Sequence, residues 1–516
     1  MSQATSRRIA RNSLYLYLRM LVTLFVSLYT SRVMLQVLGV RDYGVYNVVG
    51  GMVVILSFLN GTMSGTTQRF LNFEMGRAAE GQLKRTFEAA FSIHLCVSAI
   101  LFILGETVGL WFVNTQLVIL PERIVAANWA YQFALLGGVC TIMQVPFTGA
   151  ILAHEHMNAY AYINLAFTFL KLGVTVALLY IGAIDTLIIY AALIFAVTVL
   201  TTWLFARYCH THFIECRMNF SWHKNEIKDM LRYSLSDLIG TTCYTVENQG
   251  VIVILNRIGG TILNAAGGLS VTVGNALFQF GTSIIMAFRP QIIQQYAAGN
   301  YTYMQTLLVN CSKFSILLMG MFAIPAFAEM DYLLNIWLTD VPPYTADFCR
   351  ISLIALLSML TLQTLNAAMH ATGKIFIFSL ITGLSYLLEL PVMYYLMRQT
   401  GNPRWAYYVP IFQLSMCVFI VAGMFKYRLP QFKAWNFLIN GYFAPWALVI
   451  TLGYLITWFQ KYLCGQGFGE SFVQLIVIGL LSVLSVCSIA WLVLLPAEVC
   501  CQIRNTIRNR FNRHKN

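Results

Sequence analysis

An all-α polytopic membrane protein is the fold class this sequence predicts, on three observations. Hydrophobic residues make up 58% of the 516 residues and charged residues only 10%, whereas a soluble globular chain carries about 25% charge. Apolar runs recur from one end to the other, about fourteen of them near the roughly 20 residues a helix needs to cross a bilayer. Short residue patterns also repeat at a nearly constant offset. This composition excludes a disordered chain, a coiled coil, a nucleic-acid binder of ordinary design and a large soluble catalytic domain. The runs are continuous and long, so helices are expected and not the ten-residue alternations of a barrel.

The N-terminal MSQATSRRIARNS is basic and leads into an apolar run that Arg19 interrupts, with no small-residue cleavage site following. It reads as an uncleaved first span at 13–38, not a signal peptide. Further spans are expected at 44–65, 86–113, 126–150, 160–181 and 186–206. The seventh and eighth, 231–255 and 262–286, are the least apolar and carry Asp237, Glu247, Asn248 and Asn264. The rest follow at 314–337, 349–369, 375–397, 405–425, 440–459 and 471–495. Pro146, Pro325, Pro391, Pro410 and Pro445 lie in or beside spans, where proline kinks a helix. Glycines concentrate in spans 2 and 8 (Gly50, Gly51, Gly61, Gly65; Gly267, Gly268, Gly274, Gly281), which serves close helix packing or hinge bending.

The formal net charge of +13 is explained by where the basic residues fall. With the N-terminus inside, 23 of the 33 Lys and Arg residues lie in segments on the cytoplasmic side and 6 on the other, which is the positive-inside bias. Both termini are therefore expected in the cytoplasm, and nucleic acid is not needed as a partner; the bilayer and its anionic headgroups are. Only Arg19, Arg32, Lys171 and Arg350 remain within or beside the membrane. The twelve cysteines are scattered and form no CxxC, so neither a zinc site nor a disulfide framework is indicated. No GxxxxGK[ST] occurs, and no catalytic constellation sits on either membrane face; the chain reads as a transporter, not an enzyme, with no cofactor.

Arg11-Asn12-Ser13-Leu14 resembles Arg232-Tyr233-Ser234-Leu235, at an offset of 221. Gly61-Thr62 with Arg69 resembles Gly281-Thr282 with Arg289, and Leu38-Gly39 resembles Ile258-Gly259, both at 220. His154 and His370 follow at 216. The chain thus parses as two six-helix lobes related by a pseudo-twofold axis along the membrane normal, plus a C-terminal helix pair. The expected organisation is an N-lobe at 1–206, a cytoplasmic linker at 207–230, a C-lobe at 231–430, the last two spans at 431–497 and a basic tail at 498–516.

Ionisable residues inside a membrane are costly, roughly 2.5–3.5 kcal/mol each on insertion scales, and so are candidate functional groups. Along the first span Asn12, Tyr15, Arg19, Thr23, Ser27 and Thr30 share a helical face, as Ser234, Asp237, Thr241, Tyr244 and Asn248 do along the seventh. These stripes are expected to face each other or a shared water-filled cavity, the alternative being structural ion pairs or snorkelling of Arg19 and Asp237. Arg19, Arg32, Lys171, Arg69 and Arg289 are the candidates for holding an anionic group, since guanidinium makes bidentate bonds to phosphate. Arg69 and Arg289 serve equally as topology determinants. Glu389 joins Tyr15, Thr23, Thr241, Tyr244 and Asn248 as polar lining. The His-Glu-His at 154–156 has the wrong spacing for a helical metal site and is expected to be a solvated turn.

The stretch from Arg11 to Arg77, above all L-G-V-R-D-Y-G-V-Y-N at 38–47 and T-Q-R-F-L at 67–71, resembles the start of Bacteroidetes-type polysaccharide-export proteins. These are Wzx-like O-antigen flippases, the oligosaccharide-flippase branch of the multidrug/oligosaccharidyl-lipid/polysaccharide superfamily. The resemblance implies a MATE-like fold in the bacterial inner membrane, and transfer of an undecaprenyl-diphosphate-linked oligosaccharide from the cytoplasmic to the periplasmic leaflet by alternating access. It also implies coupling to a proton or sodium gradient, for which Asp237 and Glu247 are the candidate carboxylates. Glycan polymerase and ligase machinery are the implied neighbours of a monomeric transport unit. A cation-coupled multidrug extruder of the same superfamily and a non-transporting scaffold of a glycan-synthesis complex are the alternatives.

Overall fold

The computed structural model describes residues 59–77, 82–115, 121–180, 185–217, 222–338, 341–465 and 472–489, with separate helical positions between Asn12 and Tyr46. Among the described residues every regular element is helical, and ten helices are long and apolar enough to cross a membrane. The chain is a multi-pass membrane protein. Side chains such as Trp129, Phe169, Trp203, Val253 and Phe412 are exposed on outward faces, as expected of helices that are apolar all round and have lipid as solvent.

The helices run α1 Leu59–Gly76, α2 Leu83–Leu104, α3 Leu110–Thr115, α4 Ile124–Ala153, α5 Met157–Ala177, α6 Thr186–His212, α7 Lys224–Ala297 and α8 Tyr301–Ala328. They continue as α9 Met330–Trp337, α10 Thr345–Thr372, α11 Phe376–Thr400, α12 Trp405–Arg428, α13 Ala434–Phe437, α14 Ala444–Gly465 and α15 Phe472–Ile489. Between α2 and α3 a π-helical turn, Gly105–Gly109, keeps the third predicted span continuous. A second one, Leu438–Phe443, joins α13 to α14. The first turn is fixed by Tyr131 of α4, whose hydroxyl donates to the Gly105 carbonyl at 2.7 Å. A Cβ on Gly109 would stand 1.9 Å from that hydroxyl, so the approach requires glycine.

Helix α7 is assigned as 74 residues, which laid straight would run about 110 Å. It does not run straight. A Cβ on Gly267 would meet the Leu255 side chain at 2.7 Å, and Leu255 and Leu263 share one core cluster. Residues twelve apart in a straight helix are about 18 Å apart, so the chain doubles back between them and its two arms are the seventh and eighth predicted spans. The ninth predicted span needs correction. Its helix starts at Tyr301 and ends at Ala328, followed by the separate α9, because the chain leaves helical geometry at Glu329, φ −102° and ψ 26°, just beyond Pro325.

Two compact units are present: Met1–Thr241 with Met286–Asn300 and His370–Ser379, and Thr242–Ile285 with Tyr301–Met369 and Leu380–Asn516. In the first, Phe87, Phe147, Phe205 and Phe213 build a core between α2, α4 and α6. Arg123, just ahead of α4, binds two carboxylates in this unit. Its Nε donates to Asp42 at 2.9 Å and its Nη1 to Asp185 at 2.7 Å. Asp185 is also the N-cap of α6, accepting from the Leu187 amide. In the second unit Leu255, Phe348, Met393 and Tyr407 pack α7, α10, α11 and α12 together.

Candidate functional site

The first unit holds a buried polar layer where α1, α4 and α5 meet the N-terminal arm of α7, its C-terminal end and the last turn of α10. Its centre is His370. The imidazole Nδ1 lies 2.6 Å from the Tyr233 hydroxyl, and Nε2 lies 3.5 Å from Asp237 Oδ1. Its carbonyl accepts from Arg69 Nε at 3.1 Å. The Arg69 guanidinium is boxed by aromatic faces, 4.5 Å from Phe70, 4.7 Å from Phe73 and 5.3 Å from Tyr233, in cation–π range. Gly373, at φ +73°, closes the box; a Cβ there would lie 2.4 Å from Arg69 Nη2. One turn back on α1, Gly65 leaves room for Arg289, whose Nη2 would be 3.2 Å from a Cβ at that position.

Around this centre the polar side chains bond across elements. Ser234 donates to Thr66 at 3.0 Å, and Gln294 Nε2 donates to Asn72 and to the Ala153 carbonyl, each at 3.2 Å. Glu155 accepts from Gln291. The expected solvated turn at 154–156 is therefore corrected: Glu155 is 6% exposed and takes φ 59°, because its carboxylate is an inward acceptor. His154 stacks on Phe213 at 4.1 Å and binds Glu215, while His156 bonds the Tyr208 hydroxyl at 2.8 Å. Arg19 reaches α5, with its Cζ 5.0 Å from the Tyr160 ring and Nη1 3.5 Å from that hydroxyl.

Arg19 and Asp237 have different partners: Arg19 takes Tyr160 and Asp237 takes His370. The reason is local. Tyr233 and Asp237 stand one turn apart on α7, so both edges of a single imidazole are served from that helix. Tyr15 packs edge-on to Tyr162 at 5.8 Å. Thr23 is half-buried, Thr241 bonds the Asp237 carbonyl, and Lys171 is half-buried on α5. Arg32 lies outside the described residues.

In the second unit Glu247 and Glu389 are 9% and 4% exposed, on α7 and α11. A Cβ on Gly250 would lie 2.6 Å from Leu390, so the two helices touch three residues from Glu247 and one residue from Glu389. Tyr244 and Tyr386 pack edge-to-face beside them at 5.3 Å, and Asn248 donates to the Tyr244 carbonyl at 2.9 Å. Glu389 Oε1 is buried with no hydrogen-bond partner. Sequence reasoning missed Tyr233, Tyr160 and Tyr386 as site residues and kept His370 only as a marker of the repeat. The available signal was the i, i+4 spacing of Tyr233 and Asp237.

No protein-family model matches the chain, and no curated protein matches it. Solved structures do. A MATE transporter in its bent conformation superposes with TM-score 0.72 at 12% identity, covering 83% of this chain and 96% of its own. An outward-facing multidrug resistance MATE family transporter of the MOP superfamily gives 0.67 at 14%, covering 82% and 97%. A MOP superfamily transporter from Pyrococcus furiosus, whose reversed binding-pocket polarity was taken to suggest a different function, gives 0.65 at 13%, covering 82% and 97%. The chain therefore has the fold of the MATE transporters.

Proposed function

We propose that this protein is a flippase that carries a lipid-diphosphate-linked oligosaccharide from the cytoplasmic to the periplasmic leaflet of a bacterial inner membrane. One observation carries the reading. Arg19, Arg69 and Arg289 are buried or half-buried in the polar layer, and among the described residues none of them forms an ion pair with a carboxylate. Arg19 Nε and Arg289 Nε are buried without hydrogen-bond partners. Buried positive charge without a direct ion-pair partner is costly, and a visiting diphosphate offsets that cost with bidentate, charge-assisted bonds. The sugar hydroxyls find partners in the amide, hydroxyl and phenol groups of the layer, while the polyprenyl tail stays in lipid.

Glu247 and Glu389 would couple the cycle to a proton or sodium gradient, since buried carboxyl groups on touching helices change their charge state with their surroundings. The same buried cluster of two glutamates and two tyrosines favours the second reading, a cation-coupled multidrug extruder. A deletion strain separates the two. The flippase reading expects lipid-linked repeat units to accumulate in the inner leaflet and the intact gene to clear them. No accumulation, with increased sensitivity to cationic drugs, would establish the extruder instead.

A further inference from the structure

Helices α8, α9, α10 and α14 of the second unit border two adjoining, half-open cavities that the transport reading does not use. The larger, about 540 Å³, is bounded by Glu329, Asp331, Arg350, Gln460 and Lys461. The smaller, about 180 Å³, is lined chiefly by apolar groups including Ile324, Leu353, Val449 and Gly453. Phe327 and Thr457 border both, so polar space leads directly into apolar space.

The polar cavity carries both signs of charge. Arg350 Nη2 lies 2.6 Å from Asp331 Oδ2, and its Nε donates to the Phe327 carbonyl at 3.0 Å. Lys461 is exposed, and the Glu329 carboxylate is 1% exposed. Two cations and two carboxylates around one space repel a bare polyanion or a bare cation as much as they attract it. A zwitterion matches both signs of charge.

From Lys461 to Val449 is twelve residues of α14, about 18 Å, slightly more than half of a roughly 30 Å hydrocarbon core. Trp458 and Tyr462 stack on each other beside the polar end and are exposed, as in an interfacial aromatic belt. The polar cavity thus sits at headgroup depth and the groove runs the thickness of one leaflet. A Cβ on Gly453 would meet only Ile324, at 3.8 Å, which leaves a chain-width path, whereas Val449 closes on Gly320 further along, at 2.6 Å from a Cβ there.

We propose that these cavities form a binding site for a zwitterionic glycerophospholipid. Its phosphate lies against Arg350 and Lys461, its ammonium against Glu329 and Asp331, and one acyl chain passes over Gly453. The site is independent of the transported substrate.

The test is native mass spectrometry of the full chain, exchanged with equal amounts of phosphatidylethanolamine, phosphatidylglycerol and polyprenyl phosphate. Phosphatidylethanolamine should be retained about fivefold over phosphatidylglycerol, the factor one exposed charge pair supplies. Gly453→Leu, which fills the groove, should reduce retention more than about tenfold, since two or three displaced methylenes suffice for that. Lys461→Ala, an exposed change that leaves the fold intact, should reduce it about fivefold. Equal retention of phosphatidylglycerol, preference for polyprenyl phosphate, or unchanged retention in either variant would overturn the proposal.

Discussion

Replacing Tyr233 with phenylalanine isolates one bond of the His370 cluster. The ring remains, so its cation–π contact with Arg69 at 5.3 Å and its edge-on contact with Phe70 at 5.6 Å are kept. What is lost is the hydroxyl 2.6 Å from His370 Nδ1. His370 is 7% exposed, so water does not replace the missing partner, and a buried polar group left unsatisfied costs about 1–3 kcal/mol. Asp237→Asn perturbs the opposite edge of the same imidazole, 3.5 Å away. Because the two residues share one ring, their effects should not add; a coupling energy of about 0.5–3 kcal/mol is expected. Equilibrium unfolding in mixed detergent of the wild type, both single variants and the double variant measures it. A sum that is additive to within about 0.5 kcal/mol would refute the bridging role of His370.

Arg19→Ala or Asp237→Ala should abolish surface glycan while the protein stays in the membrane; normal glycan in a strain with both changes sinks the substrate assignment. Glu389→Gln should uncouple transport from the ion gradient, measured as flux in proteoliposomes with and without an imposed gradient, and equal gradient dependence in the variant would count against the carboxyl pair. Gly109→Ala should destabilise by about 1–3 kcal/mol through overpacking, since its Cβ meets the Tyr131 hydroxyl at 1.9 Å, and adding Tyr131→Phe should recover part of the loss; a melting temperature unmoved by Gly109→Ala refutes this. Burial alone would raise the Glu215 carboxyl, but the His154 bond and its own backbone bond hold it below its ordinary value. A depressed carboxyl stabilises the fold above the unfolded value, about 4.3, and loses that contribution as pH falls through the folded value. Wild type should therefore exceed Glu215→Gln in stability near neutral pH and converge with it in acid, and a constant difference across that range would contradict the assignment.

Apolar runs of bilayer length were enough to locate ten membrane-crossing helices among the described residues, because lipid leaves the backbone little alternative to satisfying its own hydrogen bonds; most of the expected span at 44–65 lies outside the described residues. The seventh span was expected despite the low hydropathy that Asp237, Glu247 and Asn248 give it, and α7 is helical there. The end of α8 at Ala328 was not legible, since a window of hydropathy passes over Glu329 when its neighbours are apolar. Nor was the partner of Asp237. Opposite charges in two stripes suggested Arg19, but a tyrosine one position off the stripe and a histidine 137 residues away from it complete the site, and no local pattern in sequence encodes that approach. The arginines were legible individually; their shared burial in one polar layer belongs to tertiary packing.

The Arg123 bridge bears on how the protein is made. Its two carboxylates lie 81 residues before it and 62 residues after it in the chain, and Asp42 stands within the stretch most characteristic of the sequence's beginning. At ribosomal rates of about 5–20 residues per second, Asp185 emerges roughly 7–30 s after Asp42. Until then the early spans are in the bilayer with one of the bridge's two anions missing. The N-terminal helices can insert one after another, but their final register is fastened only when the start of α6 arrives. A truncation ending before Asp185 should accordingly leave Arg123 with Asp42 as its one carboxylate partner, in a nascent bundle open to quality-control proteases.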